Sequence, residues 1–347
     1  MLTNYLFKGG VALRDSLGNK IPKRAFIIRH TEIPEFRNCR RNWYFSSAHG
    51  RNLEPRIKSI KLDAGSMWHK GLEYKYQGKK LSEGLEAAFE EQKDSYTEML
   101  FFNESATDAI MELQESFNLA LEIAKAYDSW CNSPEVFPKD SELKILATEK
   151  RFIVPLTPYG TPTITWIAAK LDGLVEFKNM LFSLEHKYLS KSTQVNNPEH
   201  LPLDLQMGIQ LLVLSKVFSG LNIGGAIYNL TRKQRPSSRV MAPLFGRHLV
   251  ERSPQELDNL ETALYYDSQA MRQCLKDSHL RYPNPQPFGG MCTWGCKYRL
   301  VCEAMNRNED YEYLLTARFQ KRQLTLKETL LKETQLSELS TNTKGGD

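Results

Sequence analysis

The sequence lacks an apolar run long enough to cross a membrane. Its most apolar stretch, residues 211–214 with their neighbours, is interrupted by Lys216, whereas a transmembrane helix needs about 20 apolar residues. The first residues also lack the apolar core of a secretory signal, because Lys8 and Arg14 interrupt them. We therefore expect a cytoplasmic protein that has no membrane partner.

An excess of one charge is also missing. The 46 basic and 41 acidic residues give a formal net charge of only +5, which by itself does not predict a nucleic-acid partner. Three local basic clusters are candidates for phosphate contacts, although such clusters are more often ordinary solvated surface. They are Arg56 with Lys58 and Lys61, residues 187–191, and residues 232–235.

Cysteine is infrequent but clustered. With six cysteines and no secretory signal, the chain does not have the pattern of a disulfide framework. Three of them fall within eleven residues: Cys292, Cys296 and Cys302. This grouping predicts a thiolate metal centre, iron–sulfur or zinc, which usually has four ligands. Cys39 is the only other cysteine in a comparably polar, basic setting, whereas Cys131 and Cys274 are expected to be buried thiols.

The second half of the chain has the pattern of an α/β core. Stretches rich in β-branched and aromatic residues predict strands over residues 143–156, 163–177, 180–189 and 223–231, with a helix over 203–218 before the last strand. This β-β-β-α-β order, framed by helices, predicts a mixed central sheet flanked by helices.

Helical periodicity dominates elsewhere. Helices are predicted from Thr31 onward, over residues 64–76 and 255–280, and from Tyr311 onward. A long run of helix-forming residues predicts a helical insertion at about residues 80–140. We expect residues 1–330 to form one domain and the polar residues 331–347 to be a disordered tail.

The second and third predicted strands are separated only by Lys178 and Asn179, which predicts a tight hairpin. Pairing around that turn places Asp172 opposite Glu185, with Cβ atoms about 5 Å apart. Lys187 lies two residues beyond Glu185 and therefore points to the same face of its strand. Two carboxylates and one ammonium group are thus expected to converge on one point.

This arrangement suits metal-assisted chemistry on phosphate esters. Two facing carboxylates repel unless a cation lies between them, and carboxylate oxygens are preferred ligands of Mg²⁺ and Mn²⁺. Such a metal activates water and stabilises charge on a phosphodiester. The alternative is a solvated hairpin with an ordinary charge pattern, but the apolar residues on both sides make unpaired carboxylates costly there.

Together with the helical segment from His69 to Glu73 and the split set of cysteines, this hairpin resembles the RecB-like branch of the PD-(D/E)XK nuclease superfamily. The sequence looks most like the iron–sulfur exonucleases of that branch, which include CRISPR-associated and phage-encoded members and the nuclease domain of AddB. The resemblance covers about residues 29–320. It implies a restriction-endonuclease-like core and a bacterial or phage-infected cell.

The resemblance assigns roles residue by residue. His69 matches a histidine that binds the metal together with Asp172 and Glu185, and Lys187 matches the catalytic lysine. Two further residues match accessory positions of the family: Glu73 and Gln206. The tyrosine expected four residues after Gln206 is Gln210 in this chain, which puts the detailed DNA contact in doubt.

The resemblance also implies that Cys39, Cys292, Cys296 and Cys302 ligate a 4Fe-4S cluster, with zinc as the alternative. Many members separate the first pair of the C-terminal cysteines by two residues, and this chain separates them by three. The cluster would be structural, because it joins segments that are distant in sequence.

The expected function is a metal-dependent DNA nuclease, with exonuclease action on DNA ends favoured, in DNA recombination or repair. The alternative is a non-catalytic DNA-binding or redox-sensing iron–sulfur module on the same fold, and a nuclease assay separates the two. The sequence has no Gly-x-x-x-x-Gly-Lys-Ser/Thr motif, so a helicase motor would have to belong to a separate helicase or recombination partner.

Overall fold

The computed structural model describes residues 13–22, 25–56, 60–100, 106–162, 165–190, 198–236, 243–286 and 290–322. Lys58, Lys191 and the tail predicted over residues 331–347 lie outside the described residues. The chain divides into two compact units. The first comprises residues 1–57, 152–169 and 258–347, and the second comprises residues 58–151 and 170–257. The single nuclease domain predicted for residues 1–330 stays a prediction.

The described helices are α1 (Glu32–Asn38), α2 (Arg40–Ser46), α3 (Ile60–Tyr76), α4 (Leu81–Leu100), α5 (Ala106–Trp130), α6 (Leu205–Val217), α7 (Pro254–Lys276), α8 (Met291–Trp294), α9 (Arg299–Asn306) and α10 (Tyr311–Arg318). The described strands are β1 (Phe26–Arg29), β2 (Leu53–Pro55), β3 (Lys144–Pro155), β4 (Thr165–Phe177), β5 (Met180–Leu189), β6 (Ile223–Arg232), β7 (Phe245–Val250) and β8 (Phe319–Lys321). None of these helices combines the length and the apolar character needed to cross a membrane.

The predicted β-β-β-α-β order is confirmed as β3, β4, β5, α6 and β6, and the predicted helical stretch is confirmed as α4 and α5. The short strands β1, β2, β7 and β8 were not predicted, because segments of three to six residues carry little periodicity. Cys39 follows the end of the helix predicted from Thr31 onward and does not lie within it. It is an extended residue between α1 and α2, with φ −161° and ψ 111°.

In the second unit the sheet is mixed. β5 pairs with β4 and β6 pairs with β7 in antiparallel fashion, whereas β5 and β6 are parallel. The two faces of β5 meet different helices. His186 and Tyr188 stack on Tyr76 and Trp68 of α3, whereas Ser183 on the opposite face bonds to α6. Because both faces are covered, β5 is buried along most of its length.

Helix α6 is apolar around most of its circumference. All of its residues from Met207 to Leu214 are buried, as expected for a helix covered on several sides and not amphipathic. Asp204 caps its N-terminus by accepting hydrogen bonds from the backbone N–H groups of Gln206 (2.7 Å) and Met207 (3.3 Å). The cap fixes where the first turn begins, and therefore which α6 side chains face β5.

In the first unit, segments from the two ends of the chain pack together. β2 pairs antiparallel with β8, and the Tyr298 hydroxyl donates to the Leu53 carbonyl at 2.9 Å. The apolar cluster beneath them consists of Phe45, Leu53, Tyr298, Val301, Leu315 and Phe319. β1 runs parallel to the beginning of β4. This packing holds the segments that carry Cys39 and the C-terminal cysteines.

Candidate active site

The β4–β5 hairpin has the predicted register. Its pairs run from Phe177 opposite Met180 to Gly173 opposite Leu184. Lys178 and Asn179 have φ values of 50° and 61°, which is the left-handed pair that a two-residue type I′ turn requires. Because one slipped residue would reverse every side chain, this turn decides which residues face the site.

Asp172 and His69 form an ion pair in the second unit. His69 Nδ1 lies 3.2 Å from Asp172 Oδ2, which also accepts a hydrogen bond from the backbone N–H of His186 at 2.9 Å. Burial alone would raise the pKa of Asp172, but the hydrogen bond and charge of His69 outweigh it and lower that pKa. Burial likewise opposes protonation of His69, yet Asp172 raises its pKa. The pair therefore favours a carboxylate and an imidazolium.

Glu185 is buried, and polar groups hold both of its oxygens. Oε1 accepts a hydrogen bond from Gln206 Nε2 at 2.7 Å and pairs with the ammonium of Lys187, while Oε2 accepts from Gln210 Nε2 at 2.8 Å. Burial, followed by the negative charge of Asp172, raises the pKa of Glu185. The pKa of Lys187 is raised as well, because the attraction of Glu185 exceeds the cost of burial.

Helix α6 supplies the two amides that orient this pair. Gln206 and Gln210 lie four residues apart and therefore share one face of the helix. The Lys187 ammonium donates to Gln206 Oε1 at 2.8 Å, so Gln206 contacts both members of the pair. Gln210 is fully buried and accepts from the Ser183 hydroxyl at 2.6 Å. From the sequence, Gln210 stood out only as a departure from the family pattern, although its spacing from Gln206 could have indicated this role.

Three potential ligand atoms lie close enough together to hold one metal ion. Among the described residues, atoms of His69, Glu149 and Asp172 all lie within 4.8 Å of one another. One imidazole nitrogen and two carboxylate oxygens fit the preferences of Mn²⁺ and Mg²⁺. Sequence reasoning missed Glu149. Glu185 is not a member of this group, and its role as a metal ligand stays a prediction.

Glu73 has hydrogen-bond partners near the end of α3, and its predicted accessory role stays a prediction. Its carboxylate accepts hydrogen bonds from Lys70 Nζ at 2.8 Å and from Gln77 Nε2 at 3.1 Å, and it is not a member of the group of ligand atoms. The structure thus places His69 beside Asp172, and Gln206 beside Glu185 and Lys187.

The four cysteines predicted as ligands belong to the first unit and are half-buried. Burial raises the pKa of Cys296, and the charges of Cys39, Cys292 and Cys302 act in the same direction on this one thiol. Among the residues that the structure describes, Arg41 Nη1 donates a hydrogen bond to Cys302 Sγ at 3.1 Å and the Gln286 backbone N–H donates one to Cys292 Sγ at 3.3 Å.

Cys131 and Cys274 are buried, as predicted, and are not among these four residues. Burial raises the pKa of Cys131 to about 11 and also raises that of Cys274. Neither thiol is therefore ionised near neutral pH, and both behave as small apolar side chains.

Comparison with known proteins identifies the family. The family model of the PD-(D/E)XK nuclease superfamily matches residues 30–303, a span that contains the hairpin and its flanking helices. No curated protein matches the chain. A solved structure titled "Crystal structure of SSO0001" is 12% identical, with 82% of this chain and 88% of that chain covered and a TM-score of 0.33. On the strength of the family match over most of its length, the chain belongs to the PD-(D/E)XK nuclease superfamily.

Proposed function

We propose that the protein is a metal-dependent deoxyribonuclease that hydrolyses phosphodiester bonds with Asp172, Glu185 and Lys187. One observation carries the proposal: in a chain of this nuclease superfamily, a hairpin of the predicted register buries Glu185 in contact with Lys187. Glu185 is 1% exposed and has a raised pKa, and a buried carboxylate of this kind beside a lysine is a candidate for a chemical role.

The donor set fits a hard divalent cation. His69 supplies a nitrogen ligand and Asp172 supplies carboxylate oxygens. We propose that Glu185 is a further ligand, so that the three residues together bind Mg²⁺ or Mn²⁺. When bound, the metal would act as a Lewis acid and lower the pKa of a water molecule. The raised pKa of Glu185 shows that its surroundings disfavour an uncompensated negative charge, which is the condition that a cation relieves.

The protein's own side chains then orient the reacting groups and neutralise the negative charge of the phosphate. Because the pKa of Lys187 is raised, it carries a positive charge suited to the phosphate and is not a general base at neutral pH. Gln206 holds Lys187 and Glu185 in one geometry, and Gln210 fixes the other oxygen of Glu185. Such preorganisation lets the charges face the reacting phosphate without rearrangement.

We further propose exonuclease action on DNA ends, with a separate helicase or recombination protein as a partner in the cytoplasm of a bacterial or phage-infected cell. These finer statements are supported by the resemblance to the iron–sulfur exonucleases.

The test is a nuclease assay on end-labelled linear DNA and on circular DNA, with Mn²⁺ or Mg²⁺. Asp172→Asn, Glu185→Gln and Lys187→Met should each abolish cleavage while the circular dichroism spectrum is retained. Glu176→Gln is the matched control, because Glu176 is a β4 carboxylate whose partner, Lys144, lies 3.0 Å away outside the site. Full activity in any of the three site variants would refute the assignment. Cleavage of circular DNA as fast as linear DNA would refute exonuclease action only.

We also propose that Cys39, Cys292, Cys296 and Cys302 ligate a 4Fe-4S cluster. The proposal is supported by the effect of the other three cysteines on the pKa of Cys296, all four lying in the first unit, and by the N–H groups of Arg41 and Gln286 that donate to Cys302 and Cys292. Such hydrogen bonds tune iron–sulfur clusters. All six cysteines are free thiols, as a reducing cytoplasm would keep them.

Anaerobic purification tests the cluster. The protein should be brown and contain iron and acid-labile sulfide in equal amounts. Cys39→Ala should remove the colour, and Cys131→Ala and Cys274→Ala should retain it. Stoichiometric zinc without iron would contradict the proposal, as would a colour that survives Cys39→Ala.

A further inference from the structure

Glu149 has an unusual backbone conformation in the middle of strand β3. Its φ is +52°, in the left-handed region that non-glycine residues rarely occupy. In a strand, such a residue breaks the regular alternation of side chains and turns its own side chain in a new direction, a device common beside active sites. This backbone conformation therefore lowers the stability of the fold, and the contacts of the Glu149 side chain must account for its presence.

The Glu149 carboxylate lies in the second unit, beside the proposed metal site. One of its oxygens is within 4.8 Å of ligand atoms of His69 and Asp172. The carboxylate also forms an ion pair with Lys170 of β4. Because Lys170 lies two residues before Asp172, both side chains point to the same face of the strand. Lys170 thus brings a positive charge to a point that holds two carboxylates.

On the basis of the proposed function, we infer that Glu149 is a further protein ligand of the nuclease metal. Lys170 is then the counter-ion that the metal displaces. The two carboxylates of Glu149 and Asp172 repel each other when no cation is near. In the described structure, Lys170 and His69 supply the positive charge. A divalent cation bound by both carboxylates takes over that role and releases the Lys170 ammonium, which is 44% exposed and free to meet a phosphate group.

A purely structural role explains the observations less well. Partly exposed ion pairs add little to stability, too little to offset a left-handed residue within a strand. A lysine–glutamate pair between neighbouring strands also needs no such backbone, as the pair of Lys144 and Glu176 shows, with 3.0 Å between Nζ and Oε2 and regular φ at both residues. The left-handed φ is explained if it directs the Glu149 carboxylate toward His69 and Asp172.

The experiment is calorimetric titration of the full-length protein with Mn²⁺. Glu149→Gln keeps the size of the side chain but removes its charge, and should weaken Mn²⁺ binding about tenfold or more, a loss that even outer-shell partners can cause. Lys170→Gln removes the competing cation and should strengthen binding about two- to fivefold. Glu176→Gln serves as the matched control and should leave the affinity unchanged.

The outcomes separate this inference from the proposed function. If Asp172→Asn abolishes Mn²⁺ binding but Glu149→Gln binds as tightly as the wild type, Glu149 is not a ligand and the nuclease proposal stands. If Mn²⁺ binding follows the expected pattern but the wild type cleaves no DNA, the nuclease proposal fails and the ligand assignment stands. Should Glu149→Gln not fold, Lys170→Gln decides alone: unchanged or weakened Mn²⁺ binding in that variant overturns the inference.

Discussion

At the scale of single residues, Glu185 illustrates how neighbouring side chains fix the geometry of a buried carboxylate. It is only 1% exposed, yet three side chains satisfy its two oxygens: Lys187, Gln206 and Gln210. Hydrogen bonds from neutral amides leave the carboxylate geometry fixed without cancelling its charge. Gln210 takes part in no other proposed chemistry, so its contribution is to position Glu185.

Gln210→Met should therefore lower kcat about tenfold or more while KM changes little, because a hydrogen bond to a charged group is worth about 1.5–3 kcal/mol. Steady-state nuclease kinetics with Mn²⁺ measure both constants. Ser183→Ala is the control, since it removes only the hydroxyl on the far side of Gln210 and should change kcat much less. Equal losses in both variants would mean that Gln210 acts by packing alone.

At the scale of secondary-structure elements, the hairpin turn fixes the register of β4 and β5. Both turn residues have positive φ, and Asn179 is exposed, so its contribution comes through the backbone. Glycine adopts this conformation freely, asparagine tolerates it, and β-branched residues do not.

Asn179→Gly should raise the free energy of unfolding by up to about 1 kcal/mol, and Asn179→Val should lower it by about 1–2 kcal/mol. Urea denaturation measures both changes. A valine variant as stable as the wild type would show that this turn does not constrain the hairpin.

Strand β7 carries a second, buried polar network. The Arg247 side chain, 1% exposed, donates to Asp140 Oδ1 and Asn229 Oδ1, each at 2.6 Å. It also lies over the ring of Trp130, with 5.5 Å between Cζ and the ring centroid. The network ties β7 to β6 and to the segment that follows α5. Both charges are buried. If one of them is removed, the other stays buried without a partner, and its desolvation is then no longer offset by the ion pair.

Arg247→Met should lower the free energy of unfolding by about 3–5 kcal/mol, because Asp140 would remain buried without its partner. Arg235→Met is the comparison: that arginine is 70% exposed, its Nε lies 3.6 Å from Glu122, and its loss should cost no more than about 1 kcal/mol. Urea denaturation of both variants under one set of conditions shows whether the buried pair contributes this much to the free energy of unfolding.

At the scale of the whole molecule, sequence-distant segments define each unit. The second unit holds the hairpin site, and the first holds the four cysteines. In the first unit, Cys39 is separated from Cys292 by most of the chain, although β2 and β8 bring their segments together. A cluster that includes Cys39 would close a very long loop and so restrict the unfolded chain.

Cys39→Ala should therefore lower the free energy of unfolding by up to about 4 kcal/mol in the metal-loaded protein, by analogy with a disulfide that closes a long loop. In protein stripped of metal the same substitution should be nearly neutral, because no cross-link is lost. Thermal and urea unfolding of the four samples measure the difference. An equal cost with and without metal would assign Cys39 to packing and not to a ligand set.

The sequence by itself determined what is local in the chain. The two turn residues and the alternation of β4 and β5 fixed the hairpin register, because a strand shifted by one residue would turn its apolar side chains to the wrong face. The order of β3, β4, β5, α6 and β6 followed from the same periodicities. The sequence also predicted correctly that Cys131 and Cys274 are buried thiols.

Tertiary structure alone decided which distant side chains meet. Glu149 joins His69 and Asp172 through a left-handed residue that no periodicity marks, and Gln210 reaches Glu185 only because α6 packs on β5. The short strands and the Arg247 network likewise depend on partners far along the chain. The physical reason is that turns and amphipathic patterns act between neighbouring residues, whereas ligand sets and buried ion pairs form only where packing removes distant groups from water.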